Sequence, residues 1–163
     1  MLTGWHVAHL PVRLTGKPRV WQRIDEVVVS WPELAIEGFL LMPRPFYTPF
    51  VPSRATFRLT GLGLELADAY QVVHKSRRWR RDVLRRNQAF MKRPVSDMSG
   101  HLYGRLNDVI FDETTLKVTH LVVSRGILGD LLFGALMVSD AQISQVSPAA
   151  IKIHPPGAPF SMR

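Results

Sequence analysis

The sequence contains no cysteine, which excludes disulfide staples and thiolate metal sites from the outset. It has no apolar run of the roughly 20 residues that a membrane-spanning helix needs. The longest, GILGDLLFGALMV from Gly126, is interrupted by Asp130. The opening MLTGWHVAHLPVRLTG lacks a basic segment followed by an apolar one, so no secretory signal is expected and a cytoplasmic location is. The short motifs that assemble catalysis are missing too: no Gly-x-Ser-x-Gly elbow, no Walker loop, no complete Gly-x-Gly-x-x-Gly and no His-Glu-x-x-His. GLG at Gly61–Gly63 lacks the rest of a dinucleotide fingerprint and reads as a turn. Carboxylates adjoin at Asp25-Glu26 and Asp112-Glu113. Neighbours on a strand point to opposite faces, so neither pair is expected to converge on one substrate atom. The six histidines are scattered, and only His6 and His9 lie close together. No metal centre, no cofactor and no catalytic residues are therefore expected, and the protein is not expected to be an enzyme.

What is present is the balance of a globular protein: 163 residues, 46% hydrophobic and 21% charged. The net charge is +8, and it is local. Between Lys75 and Arg93 lie nine of the 21 Lys and Arg residues against one acid, Asp82, while the remainder is balanced at twelve and twelve. Only this segment can act as an electrostatic footprint.

The chain also says the same thing twice. RIDEVVVSWPELAIEGFLL from Arg23 aligns with RLNDVIFDETTLKVTHLVV from Arg105 at an offset of 82, pairing Ile24 with Leu106, Val27 with Val109, Val29 with Phe111, Ile36 with Val118 and Phe39 with Leu121. Downstream, VPSRATFRLTGLGLEL from Val51 matches VSDAQISQVSPAAIKI from Val138 at an offset of 87, and upstream Pro11-Val12 answers Pro94-Val95. An internal duplication is the natural reading. Each copy reads as strands: RLNDVIFD has period-two alternation, DETT supplies turn chemistry, and KVTHLVVSR returns as the second arm of a hairpin. Four to six short strands in a copy of this size fit a small closed barrel, which removes exposed strand edges. The expected fold is all-β with a connecting helix. A divergent first barrel spans 1–67, a basic helical linker 68–92, a second barrel 93–154 and a flexible proline-rich tail 155–163.

The second copy resembles a PRC-barrel domain. That family is named for the cytoplasmic barrel of the photosynthetic reaction-centre H subunit and includes the C-terminal domain of the ribosome maturation factor RimM. Its opening pattern, Gly-x-x-x-Gly-x-Leu/Val-x-Asp-Val/Ile, is carried by Gly100, Gly104, Leu106, Asp108 and Val109. The returning strand is carried by Leu121 to Ser124, and a later one by Val138, Ser139 and Ile143. The first copy departs from the pattern, with Trp21 or Gln22 at the second glycine. The resemblance implies two tandem PRC-type barrels and a binding or assembly role rather than an activity.

Two candidate surfaces follow. In SRRWRRDVLRRN, Asp68 and Gln71 upstream form a potential reciprocal cap for a helix running through the arginines. Val72, Trp79, Val83 and Phe90 then share one stripe, and Arg77, Arg78, Arg80, Arg81, Arg85 and Arg86 are the basic residues around it. The arginines are either a solvated helix face or a grip on an acidic protein or on phosphates, for which arginine's bidentate fork is better suited than lysine. The second surface is the loop between the third and fourth elements, apolar in both copies: Phe46 and Tyr47 in MPRPFYTPF, Leu131, Leu132 and Phe133 in ILGDLLFGAL. These residues either pack on each other or on the linker helix, or mark a partner, dimer or membrane-surface contact. The expected function is a non-enzymatic scaffold, monomeric or homodimeric, that docks an acidic protein through barrel loops and the basic linker. The alternative is an RNA- or ribosome-associated factor binding phosphates through the linker arginines.

Overall fold

A computed structural model describes residues 1–155. The proline-rich tail expected at 155–163 lies, from residue 156 on, outside the described residues. The chain opens with β1 (Leu2–Thr3) and a single turn of helix, α1 (Gly4–Val7). A first set of strands follows: β2 (Pro11–Leu14), β3 (Gln22–Ser30), β4 (Ala35–Leu41), β5 (Thr48–Pro52), β6 (Phe57–Thr60), β7 (Gly63–Leu66) and β8 (Val73–Lys75). Helix α2 (Arg77–Phe90) leads to β9 (Pro94–Asp97), β10 (Leu102–Phe111) and β11 (Val118–Ser124). The short helix α3 (Ile127–Phe133) then precedes β12 (Leu136–Ser139), β13 (Ile143–Val146) and β14 (Ile151–Ile153). The fold is all-β in character, and no helix among the described residues is long and apolar enough to cross a membrane.

The strands form two curled sheets with one plan. In the first the order is β6-β7-β2-β3-β4-β5-β8, in the second β13-β14-β9-β10-β11-β12, with β1 added on β10. Each contains one parallel pair, with Val12 opposite Leu64 in the first and Val95 opposite Ile151 in the second. Bulges interrupt the long hairpins between Ile24 and Glu26 and between Val28 and Val29, and again between Leu106 and Asp108 and between Ile110 and Phe111. These are the same places at the offset of 82. Neither sheet closes on itself by a further strand pair among the described residues: β6 and β8 end one path, β12 and β13 the other.

The halves join at the tips of their long hairpins. Ile36 N–H donates to the Leu116 carbonyl at 2.7 Å, and Val118 N–H donates to the Leu34 carbonyl at 2.8 Å. Leu34 and Leu116 both hold positive φ, 49° and 59°, an uncommon backbone for leucine that turns each tip toward the other. The bridge between Ala35 and Lys117 is antiparallel. The strands that leave it, β4 and β11, therefore run in opposite directions and carry their following loops to opposite ends of the molecule. One core runs through both halves, including Val29, Trp31, Ile36 and Phe39 from the first and Leu106, Phe111, Leu116 and Val118 from the second.

Burial explains why the two halves read differently as sequence. Val28, Leu40 and Phe50 point away from this core and are covered by Val83, Trp79 and Leu84 of α2. Strands β3 to β5 are thus apolar on both faces and lose alternation, whereas exposed Asn107 alternates with buried Leu106 and Asp108 on β10. Gly104 is required by close approach, since a Cβ there would overlap the Ser124 carbonyl oxygen.

Candidate functional site

Helix α2 begins later than the capping pattern at Asp68 predicts. The Asp68 carboxylate does accept a backbone N–H, from Tyr70 at 2.9 Å, but this opens only a 3-10 turn over Ala69–Gln71. Residues 73–75 are then taken as a strand by the free edge of β5, with Val73 opposite Phe50, so Val72 is not on the helix. The helix starts after Ser76, whose hydroxyl accepts the Trp79 N–H at 3.1 Å. It ends before Pro94, which cannot continue it. Its inward stripe is Trp79, Val83, Asn87 and Phe90. Trp79 meets Phe50 edge-on at 5.1 Å, with the Lys75 ammonium 4.8 Å from its ring centroid.

The six linker arginines divide into two groups. Arg80 forms an ion pair with Asp25, Arg86 pairs with Glu37 at 3.2 Å, and Arg77 donates to the Pro45 carbonyl. Arg78, Arg81 and Arg85 are exposed and make no ion pair among the described residues. Arg77, Arg80, Arg81 and Arg85, with Leu84 and Gln88, line a shallow groove of about 360 Å³ along the helix. This groove combines uncompensated guanidinium groups with one apolar contact. The bond from Arg77 to Pro45 ties the loop after β4 to the start of α2, so exposed Phe46 adjoins the arginine face. Tyr47 is half-buried and stacks on His74 with centroids 4.2 Å apart.

The corresponding residues of the second half, Leu131, Leu132 and Phe133, lie on α3 at the opposite end and are exposed. The two apolar loops therefore do not pack on each other. The sequence places all of these residues on loops and a helix, and the structure brings together the arginines and Phe46 while separating the α3 residues from them.

Sequence reasoning missed a cavity of about 420 Å³ between the halves. Asp25 and Glu26 line it from the first half and Asn107 and Asp108 from the second, with Trp5, His9 and Asn87 around them. Asp25 and Glu26, though adjacent on a strand, both line this cavity because they sit in a bulge. There two residues oppose one partner residue, so strict alternation is lost. Burial raises the Glu26 carboxyl above its ordinary pKa, and the neighbouring Asp25 charge adds to this. Burial also raises Asp108, although it accepts N–H groups from Trp5 at 3.0 Å and from Val109 at 2.8 Å. Among the described residues no cluster of three or more His, Asp or Glu could hold a metal ion. Comparison with known proteins finds no matching family model and no matching curated protein.

The raised carboxyls have a measurable consequence. A carboxyl whose folded pKa lies above its unfolded value binds a proton more tightly when folded, so folding is favoured as pH falls through the folded pKa. By contrast, Asp97, Asp112 and Asp130 are held below the usual carboxylate range, chiefly by hydrogen bonds from Ser99, Thr115 and Ser124 respectively, and weaken folding only in stronger acid. Glu26→Gln removes the buried charge beside Asp25 and keeps Asn87 a partner. The variant is expected to melt about 2–4 °C higher than the parent at neutral pH, and to show a flatter rise in melting temperature as the pH is lowered toward 5. Thermal unfolding at a series of pH values checks both.

Proposed function

We propose that this chain is a non-enzymatic docking module, built by duplication from two PRC-type barrels, that binds an acidic protein partner on the arginine face of α2. The observation that carries the reading is the groove in which Arg81 and Arg85 stand beside Leu84, with Arg78 nearby, none of the three forming an ion pair among the described residues. A carboxylate-bearing segment satisfies both features: its charges meet planar guanidinium forks, and an apolar side chain meets Leu84. Phe46 extends this surface from the first-half loop, so loop and linker act as one patch.

A protein is favoured over RNA by the fate of the aromatic rings. Sequence-tolerant binding of single strands needs exposed rings on which bases stack. Here Trp79 is packed on Phe50 and Phe90 is stacked on Trp31, which leaves Phe46 as a single exposed ring at this face rather than a row on which successive bases stack. The duplication is supported by the common strand order, by bulges at equivalent places and by reciprocal bonds at the hairpin tips.

Binding to polyglutamate and to a single-stranded RNA homopolymer, followed by fluorescence anisotropy over a range of salt concentrations, tests the reading. The chain is expected to bind polyglutamate in a salt-sensitive manner. The triple variant Arg78→Gln, Arg81→Gln, Arg85→Gln is expected to lose about tenfold to a hundredfold in affinity, since each exposed charge contact contributes up to about 1 kcal/mol. Undiminished binding by the triple variant refutes the assignment of the site. A clear preference for the RNA over polyglutamate transfers the face to the phosphate-binding reading.

A further inference from the structure

Helix α3 is oriented opposite to an ordinary surface helix. Its only charged side chain, Asp130, turns back into the protein, where it accepts from the Ser124 hydroxyl and, at 2.8 Å, from the Arg125 N–H. Gly129 sits against the Arg125 side chain. The large apolar residues turn outward: Ile127, Leu128, Leu131, Leu132 and Phe133 are between 71% and 89% exposed. The first four occupy one helical stripe. Gly126 and Gly134, with φ of 91° and 73°, break the chain at either end, so the turn is held as a separate knob.

We propose that α3 is the contact surface of a homodimer, in which the apolar stripes of two copies pack on each other about a twofold axis. Three observations select a second copy as the occupant. The first is area: five side chains of this size at this exposure present on the order of 600 Å². Leu102 and Met137, also exposed, stand at the same end of the second sheet by register and enlarge the patch toward the roughly 800 Å² per partner of a stable complex. The second is charge. The face itself carries none, because Asp130 is turned away, so two copies meet without like-charge repulsion. The third concerns lipid. A surface segment that binds an anionic bilayer is bordered by cations. Arg125 precedes α3 and Arg105 stands opposite Ser124, but the described second half from Pro94 carries only four Lys and Arg against six Asp and Glu, so its net charge is negative. The dimer leaves the arginine face of each copy free, so the inference does not depend on the partner assigned to that face.

Sedimentation velocity on the full chain tests it, beside the double variant Leu131→Glu, Leu132→Glu and a control, Tyr70→Glu, at a position that is 99% exposed on the other half. Circular dichroism checks that each is folded, which exposed positions should not disturb. The parent and the control are expected to sediment as dimers at micromolar concentration, and the double variant as a monomer with dimerisation weakened at least tenfold. A parent chain that stays monomeric at about 100 µM overturns the proposal, and so does a dimer that survives the double substitution. Flotation with phosphatidylcholine and phosphatidylserine vesicles covers the remaining occupant: a monomeric parent that floats through an intact α3 overturns the dimer and gives the face to lipid.

Discussion

Asn87→Leu is expected to cost about 3–4 kcal/mol of folding stability, although leucine has the same branched shape and a better helix propensity. Asn87 is 3% exposed and inserts between α2 and β3. Its amide NH₂ donates to the Val27 carbonyl at 2.7 Å, and its carbonyl accepts the Val29 N–H at 3.3 Å. Strand β2 pairs with β3 only at Gln22 and Arg23, so the edge of β3 around Val27 to Val29 has no neighbouring strand on that side. The side-chain amide supplies the missing donor and acceptor. Leucine leaves both backbone groups buried and unpaired, each at about 1–3 kcal/mol. The substitution Asn87→Asp retains an acceptor for Val29 but places a second charge beside Glu26, and is expected to be little better. Urea denaturation measures the difference, and a loss below about 1 kcal/mol would show that the amide does not satisfy this edge. In the other half the same edge is covered by chain rather than side chain: β1 pairs Leu2 with Phe111 and Thr3 with Ile110.

Trp31→Ala is expected to cost about 3–5 kcal/mol, and Trp31→Phe to cost little. Trp31 is 1% exposed at the tip of the β3-β4 hairpin and stacks on Phe90 with centroids 4.6 Å apart and planes 9° from parallel. The Arg93 guanidinium lies 3.2 Å from the Phe90 centroid and donates to the Ser147 carbonyl at 2.5 Å. Hairpin tip, end of α2 and second sheet are thereby layered through one stack. Alanine empties that layer. Phenylalanine keeps the stack and also removes the indole N–H, which is buried with no partner among the described residues. Because the core is continuous through both halves, the parent and both variants are expected to unfold in one transition. Calorimetry of the full chain checks this, and two resolved transitions would contradict a shared core.

Much of the framework was legible in the residues. The apolar positions paired at an offset of 82 occupy equivalent places in the two sheets, and the hairpin arms and the turn at Asp112 lie where alternation and turn chemistry put them. The helix through the arginines was legible, but its start was not. Asp68 caps a turn in either outcome, and only the free edge of β5 decides that residues 73–75 extend as strand. The polar residue in the inward stripe, Asn87 between Val83 and Phe90, was a visible sign of a buried partner. Its partners were not visible, because they are backbone groups nearly 60 positions away in sequence. That Asp25 and Glu26 share one cavity was hidden for a related reason. A bulge depends on the register between two strands, and period-two alternation assumes that none is present.

By itself the sequence determined the β-rich character, the concentration of charge between Lys75 and Arg93, and the apolar composition of two loops, because each depends on residue type and local spacing. Tertiary structure decided which of those features face solvent together. It paired Arg80 and Arg86 with Asp25 and Glu37, and left Arg78, Arg81 and Arg85 without an ion pair among the described residues. It set Phe46 beside the arginines, and sent α3 to the far end with its apolar side outward. The arginine pairings follow from α2 packing on Val28, Leu40 and Phe50, and the separation of α3 follows from one antiparallel contact between hairpin tips, whose direction cannot be read from either hairpin alone, since it exists only when both are folded.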